Sequence, residues 1–263
     1  MKCKICSSET DFFSEAEILF KYKIKYYNCL NCGFVQTEFP YWIEEAYSNA
    51  INHSDIGLLK RNLDYSKATK NVLSWYFKPD SNFIDYGAGY GVFVRMMRDY
   101  GYKFYWNDKY CENMFAAEFE SDKSGVEKFD ALTAFEVFEH LENPVNEVEE
   151  MLKFSDNILF STFLFPESKP KPGEWWYYAL DHGQHLSLYS LKSLQVLASK
   201  FNKNFYTNGK NVHIFTDMKL NGFIFKIITY PLISDIFNLL IRRKSLLDSD
   251  YKFVLEKLKK SNS

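Results

Sequence analysis

Residues 84–91 read Ile-Asp-Tyr-Gly-Ala-Gly-Tyr-Gly: an acidic residue, Asp85, is followed by glycines at 87, 89 and 91, between an apolar strand pattern and an apolar helix pattern. Gly87 and Gly89, flanking Ala88, lack the β-carbons that would keep a ligand off the backbone of a strand-to-helix turn. Gly91 is expected to let the helix pack close to the strand. Such a turn holds a nucleoside-type cofactor. The spacing departs from the dinucleotide fingerprint G-x-G-x-x-G, because the third glycine comes one residue earlier and a carboxylate stands two before the first. That carboxylate would repel a pyrophosphate and attract a ligand carrying an ammonium and a sulfonium.

Two further constellations carry chemistry. Cys3-x-x-Cys6 and Cys29-x-x-Cys32-Gly33 are knuckles separated by 22 residues, each able to turn two thiolates toward one point. Tetrahedral Zn²⁺ takes four such ligands, and four cysteines leave no open coordination position, so the ion would be structural. Disulfides are the alternative. The start Met1-Lys2-Cys3 shows no apolar targeting segment, which predicts a cytoplasmic chain with reduced thiols. Cys111 stands alone on a predicted helix and reads as a packing residue. Glu136-x-x-Glu139-His140, if helical, places its side chains at i, i+3 and i+4 on one face. With a later histidine such as His185 it could hold a second, divalent ion. A long stretch, 163–190, contains Trp175-Trp176-Tyr177-Tyr178 and then Asp181-His182-Gly183-Gln184-His185; its aromatic faces suit stacking on a sugar or nucleobase, or form a small core of their own.

The loop at 84–91 resembles the cofactor loop of class I S-adenosylmethionine-dependent methyltransferases. Asp108 lies 23 residues after Asp85, at the end of the aromatic strand Tyr102–Trp106, where that family places a carboxylate on the ribose hydroxyls, although Asn107 replaces a glycine before it. A third block, residues 129–141, corresponds to the family's fourth strand and the start of its helix. The resemblance implies S-adenosylmethionine as cofactor and Asp85, Gly87, Ala88, Gly89, Asp108, Phe135 and Glu136 as its binding residues. Residues 184–190 resemble a segment of zinc-carrying sugar methyltransferases, which also open with paired cysteine knuckles. There the histidine is the candidate general base, which maps onto His185, with His182 and His140 completing the candidate catalytic set. Gln184 replaces an acidic residue and His182 a tyrosine, so methylation of a hydroxyl is the simpler expectation than carbon methylation of a keto-sugar. The Glu136-x-x-Glu139-His140 motif is also similar to that of metal-dependent O-methyltransferases, whose ion binds the acceptor oxygens. In the simplest mechanism His185, with an ordinary pKa near 6.5, would take the hydroxyl proton.

The elements that must position these groups alternate. Apolar strands at 82–86, 102–107, 130–134 and 157–163 are interleaved with helices at 91–100, 143–153 and 191–201, and strand-like runs follow at 204–207 and 212–216. This predicts an α/β, Rossmann-like, doubly wound and mainly parallel sheet with its ligand at the carboxyl ends of the strands. Residues 1–40 read as a small zinc ribbon, 41–80 as a helical connector or lid with helical spacing over 44–77, 81–218 as the cofactor domain with the acceptor insertion at 163–190, and 219–263 as a helical tail. A full helix plus a third strand barely fits between Asp108 and Asp130, so the edge that usually contacts adenine is expected to be trimmed. At 263 residues and 46% apolar composition the chain can bury one full domain with additions, and a net charge of −2 does not favour nucleic acid as partner. No run of about 20 uncharged apolar residues occurs. The nearest, 222–241, is broken by Lys226, Pro231 and Asp235 and reads as an amphipathic helix packed on the protein, on a second copy, or at a membrane surface. The expected partner is a small-molecule acceptor, a sugar by resemblance, and the expected state a monomer or homodimer. A macromolecular methyltransferase gripping RNA or protein with the ribbon, and a non-catalytic cofactor-binding subunit, are the competing classes.

Overall fold

The computed structural model describes residues 1–48 and 55–261. The N-terminal hairpin β1 (Thr10–Ile18) and β2 (Tyr22–Cys29) is joined by a third short strand, β3 (Val35–Thr37). Helices α1 (Ile43–Ala46) and α2 (Leu58–Tyr76) lead to the central unit; positions 49–54 of the helical span expected over 44–77 lie outside the described residues. There follow β4 (Asn82–Tyr86), α3 (Val92–Asp99), β5 (Lys103–Asn107), β6 (Ala131–Ala134), α4 (Pro144–Phe154) and β7 (Ile158–Ser161). Then come β8 (Ser187–Leu188), α5 (Leu191–Lys200), β9 (Asn204–Thr207), β10 (Val212–Thr216) and three helices, α6 (Gly222–Thr229), α7 (Pro231–Leu240) and α8 (Leu247–Ser261).

Six strands form one sheet in the order β5-β4-β6-β7-β10-β9. β5, β4, β6 and β7 are parallel, while β10 runs antiparallel to both β7 and β9. The central strands are covered on both faces, which is why they read as continuous apolar runs. Tyr65, Val72, Phe93, Met97, Phe225 and Ile228 of α2, α3 and α6 fill one side, and Val148, Met151, Leu194 and Leu197 of α4 and α5 the other. Chain order reverses at β4, whose neighbours are β5 and β6, so the crevice at their carboxyl ends is the topological switch point where such sheets bind ligands. Local signals set the helix starts. Pro144 opens α4, and the Ser190 hydroxyl accepts from the Ser193 amide at 3.0 Å to cap α5.

Three expectations are corrected. Cys111 lies in a bend and not on a helix, because the span from Asp108 to Asp130 is trimmed as expected, to bends, turns, a 3-10 turn at Ser121–Lys123 and a single bridge from Trp106 to Glu120. Residues 136–140 are not an α-helix: Glu136 has φ +55° and Phe138–His140 form a 3-10 turn. The insertion does not build a core alone. Its β8 pairs with β3, making a four-stranded sheet β1-β2-β3-β8, and Phe165, Tyr177, Tyr178 and Leu186 share a core with Ile18, Ile24, Tyr26 and Trp42 of the ribbon side.

The last helix is fastened by a buried ion pair. Arg98 of α3 donates to both Asp250 oxygens at 2.8 and 2.6 Å, with both residues at most 6% exposed. Arg95 also donates to one Asp250 oxygen at 2.8 Å, so Arg98→Met leaves the other oxygen without its donor and not the whole carboxylate unpaired, and is expected to lower stability by about 1–3 kcal/mol, measured by urea unfolding.

Candidate active site

At the end of β4 the chain turns through three glycines of positive φ. A β-carbon on Gly87 (φ +69°) would lie 2.7 Å from Val137 Cγ2, whereas one on Gly89 (φ +53°) would meet nothing within 4 Å. Gly89 is therefore the open edge of a cradle. Gly91 (φ +87°) precedes α3 in the left-handed region, and its β-carbon would strike Asn113 Oδ1 at 2.8 Å, so what it admits is the 113–116 segment and not the strand. The Gly87 and Ala88 amides donate to the Asn107 carbonyl at 2.9 and 3.2 Å. Asp108 closes the turn: one of its oxygens accepts from the Gly89 amide at 2.8 Å, the other from the Tyr110 and Cys111 amides at 2.7 and 2.9 Å. Asp85 is buried behind the turn and accepts from the Thr133 hydroxyl at 2.5 Å. Burial, opposed by that hydrogen bond and reinforced by the nearby Asp108 charge, pushes its carboxyl up to about 7.

At the end of β6, Phe135 stacks on Tyr65 with centroids 4.6 Å apart and planes 6° from parallel. Glu136, held at a φ that costs a non-glycine residue strain, is fully engaged. Its amide donates to Ser161 Oγ at 2.8 Å, Oε1 accepts from Tyr65 and Ser161 at 2.7 and 3.0 Å, and Oε2 pairs with Arg61 Nε at 3.0 Å. Arg61 also grips both Asp55 oxygens at 2.7 Å. α2 thus reaches over the crevice. Neither Arg61 nor Tyr65 stands out in the sequence, since their partner lies 71 residues beyond Tyr65.

Beside this, Glu139, His140 and His185 each offer a ligand atom, all within 4.8 Å of one another. Glu136 is not in the group, because its left-handed backbone sends it to Arg61 and Tyr65. Glu139 is fully buried, and neither carboxylate oxygen makes a hydrogen bond of good geometry, although the Tyr177 hydroxyl and the Glu139 amide face the carboxylate. Burial, then the Glu136 charge, raises its carboxyl well above the usual range. His185 donates from Nδ1 to the Tyr177 carbonyl at 2.6 Å, which leaves Nε2 as the bare nitrogen. Burial pushes His185 down to about 4 in place of the ordinary value expected for a base. Burial and the neighbouring His185 and His182 likewise hold His140 well below its usual value. The Tyr47 hydroxyl lies 2.9 Å from His140 Nδ1. His182 sits at the edge of the group, with Nε2 3.1 Å from Asp181 Oδ2.

The segment carrying these histidines hangs on the ribbon. Trp42 Nε1 donates to the Gly183 carbonyl at 2.8 Å, Gln184 Nε2 to Ala46 at 2.7 Å, and the Thr37 amide to Leu186 at 3.1 Å. From the other side the Leu186 amide donates to the Glu139 carbonyl at 2.8 Å. Gln184 is thus a strut to α1. At the base of the ribbon the four cysteine sulfurs converge, with separations of 3.4 Å for Cys6–Cys29 and 3.6 Å for Cys3–Cys32 and Cys6–Cys32. Four sulfurs about 2.3 Å from a tetrahedral ion stand about 3.8 Å apart, so the set fits one. The Ile5 and Cys32 amides point at the Cys3 and Cys29 sulfurs, each at 3.4 Å, as knuckle amides do to stabilise thiolates.

Residues 58–206, more than half of the chain, match the model of a methyltransferase domain family. The chain belongs to that family, and with its glycine loop and Rossmann-like sheet it is a class I S-adenosylmethionine-dependent methyltransferase. Among solved structures it is similar to the plantazolicin methyltransferase BpumL in complex with SAH, at 12% identity and a TM-score of 0.49 over 76% of this chain and 90% of that one. It is also similar to magnesium protoporphyrin IX methyltransferase from Synechocystis PCC 6803, at 11% identity and a TM-score of 0.41 over 67% and 94%. A possible histamine N-methyltransferase from Thermotoga maritima aligns at 12% identity and a TM-score of 0.42 over 68% and 100%. No characterised protein sequence matches significantly.

Proposed function

We propose that the protein transfers the methyl group of S-adenosylmethionine to a hydroxyl of a small molecule, with a sugar or activated sugar as the acceptor class. The observation that supports the acceptor half is Glu139. A buried carboxyl group without a well-formed hydrogen bond either keeps its proton or is completed by a cation, and two histidines within ligand distance of Glu139 favour the cation. Glu139, His140 and His185 would hold a divalent ion, whose contribution is to lower the pKa of a bound hydroxyl. His185, fixed by Tyr177 with Nε2 bare, is then a ligand and not the general base. Tyr47 and the exposed Tyr110, stacked with centroids 6.4 Å apart beside His140, offer faces for a sugar ring. Cys3, Cys6, Cys29 and Cys32 would hold a structural Zn²⁺.

On the donor side, Gly87, Ala88 and Gly89 would cradle the cofactor, Asp108 would take its ribose, Phe135 and Glu136 would wall the crevice, and Asp85, buried behind the turn, would act on its positive groups through its charge. The cofactor-free protein holds a proton on Asp85 between the ordinary carboxylate value and about 7, so this group's contribution to its stability falls as pH rises through that window. A cationic ligand favours the ionised form and must expel that proton. Cofactor affinity is therefore expected to rise with pH up to about 7 and then level off, and calorimetry in buffers of different ionisation enthalpy should detect proton release below that point. Asp85→Asn should bind weakly and without this slope; an unchanged slope would remove Asp85 from the account.

The acceptor is tested by incubating the protein with labelled cofactor, a divalent ion and a panel of nucleotide sugars and carrier-linked sugars, reading the mass gain of one methylene. Label transferred only to RNA or protein would refute the sugar reading.

A further inference from the structure

Among the described residues, the helices after the central sheet leave one apolar face exposed. α6 and α7 are bent by 87° where they meet. α7 is tied to α2 along one side: Asn238 donates to the Lys67 carbonyl at 3.0 Å, Asn71 donates to Ser234 Oγ at 3.0 Å, and Phe237 packs edge-on against Trp75. On its other side Ile236, Leu239 and Leu240, spaced i, i+3 and i+4, are 63%, 79% and 77% exposed. Trp75, at the same end of α2, is half-exposed.

The charge around this face is one-sided. From 219 to 247 the chain carries five basic residues, Lys219, Lys226, Arg242, Arg243 and Lys244, against the single acid Asp235, although the net charge of the whole is −2. Asp235 is already paired with Lys67 at 2.8 Å. Arg243 folds back over the Tyr102 ring and onto the Gly101 carbonyl, but Arg242 and Lys244 stay exposed. An open groove of about 560 Å³ lies beside them, lined by Ser74, Phe77, Gly101 and all three basic side chains.

We propose that α7 and the basic segment after it dock the protein reversibly on an anionic lipid surface. Large aliphatic side chains on one helical face enter the acyl boundary, Trp75 sits at the headgroup level, and Arg242 and Lys244 meet lipid phosphates, one of which the groove can admit. A second copy suits this face less well, because a twofold axis through it would set the two basic segments against each other. Among the described residues no single helix is long and apolar enough to cross a bilayer, although α6 and the end of α7 together have the length and composition of a broken span; the contact proposed is a peripheral one.

The test is co-sedimentation of the full chain with phosphatidylcholine vesicles, with and without phosphatidylglycerol. Binding is expected only with the anionic lipid and should weaken with added salt. The double change Leu239→Glu, Leu240→Glu should abolish it, and Arg242→Glu with Lys244→Glu should weaken it by roughly 20-fold or more. Unchanged cofactor affinity and melting temperature show that each variant is folded. The proposal is overturned if the native protein ignores anionic vesicles, if the folded variants bind as well as it does, or if light scattering finds a dimer that the leucine changes dissociate without any vesicle binding.

Discussion

Glu139→Gln should bind no divalent ion in the acceptor site and should lose at least roughly 10³-fold in turnover, while S-adenosylmethionine affinity stays within a few-fold. The side chain keeps its volume and loses only its charge, so the buried niche remains filled. Charge is what the niche lacks a partner for: neither oxygen makes a well-formed hydrogen bond, and His140 and His185 stand within ligand distance. An ion that binds a hydroxyl contributes several kcal/mol to its deprotonation, and about 4 kcal/mol corresponds to the stated factor. Cofactor affinity is spared because the glycine turn and Asp108 hold themselves through backbone amides that do not involve Glu139. Calorimetric titration with Mn²⁺ and steady-state kinetics check the two halves separately. Full activity in the glutamine variant would show that Glu139 is a packing residue.

With the proposed zinc in place, Cys32→Ser should release it and lower the melting temperature by roughly 10–20 °C, more than any surface change. The cysteines are not on a detached appendage: Cys3, Cys29 and Cys32 belong to the same buried cluster as Ile84, Leu132 and Leu194 of the central unit. The Cys32 carbonyl also accepts from the Ser190 hydroxyl that caps α5, at 2.6 Å. Structural zinc sites contribute on the order of 10 kcal/mol to folding, and even half of that, at a few degrees per kcal/mol in a chain of this size, gives the stated shift. Because β3 pairs with β8 and Trp42 holds Gly183, the segment bearing His182 and His185 should loosen with the ribbon. Acceptor turnover should therefore fall further than cofactor affinity. Zinc released on thiol modification, together with the melting curve, measures the effect. A variant that melts like the native protein would show that the four sulfurs hold no structural ion.

The parts legible in the sequence are those written locally. The glycines at 87, 89 and 91 mark a turn whatever surrounds them, the Cys-x-x-Cys pairs fix their own geometry, and strands such as 82–86 and 212–216 are buried on both faces and so read as apolar runs. Glu136 misled for the opposite reason. Its left-handed backbone is stabilised by Ser161, Tyr65 and Arg61, none adjacent in sequence, and no glycine announces the turn, so helical spacing grouped it wrongly with Glu139 and His140. The lid contacts of α2 and the two-residue strand β8 are likewise properties of the assembled fold. The depressed His185 pKa could not be read beforehand, because it comes from burial beneath the ribbon and the aromatic insertion.

The central claim is most directly tested by the ion dependence of methyl transfer in the native protein. Chelation can be set to strip the Glu139, His140 and His185 site while zinc, quantified in the same sample, stays with the cysteines. Labelled methyl transfer to a sugar acceptor should then fall to background and return in proportion to added Mn²⁺ or Mg²⁺, at one ion per chain. Undiminished transfer by protein that holds zinc alone would contradict the account.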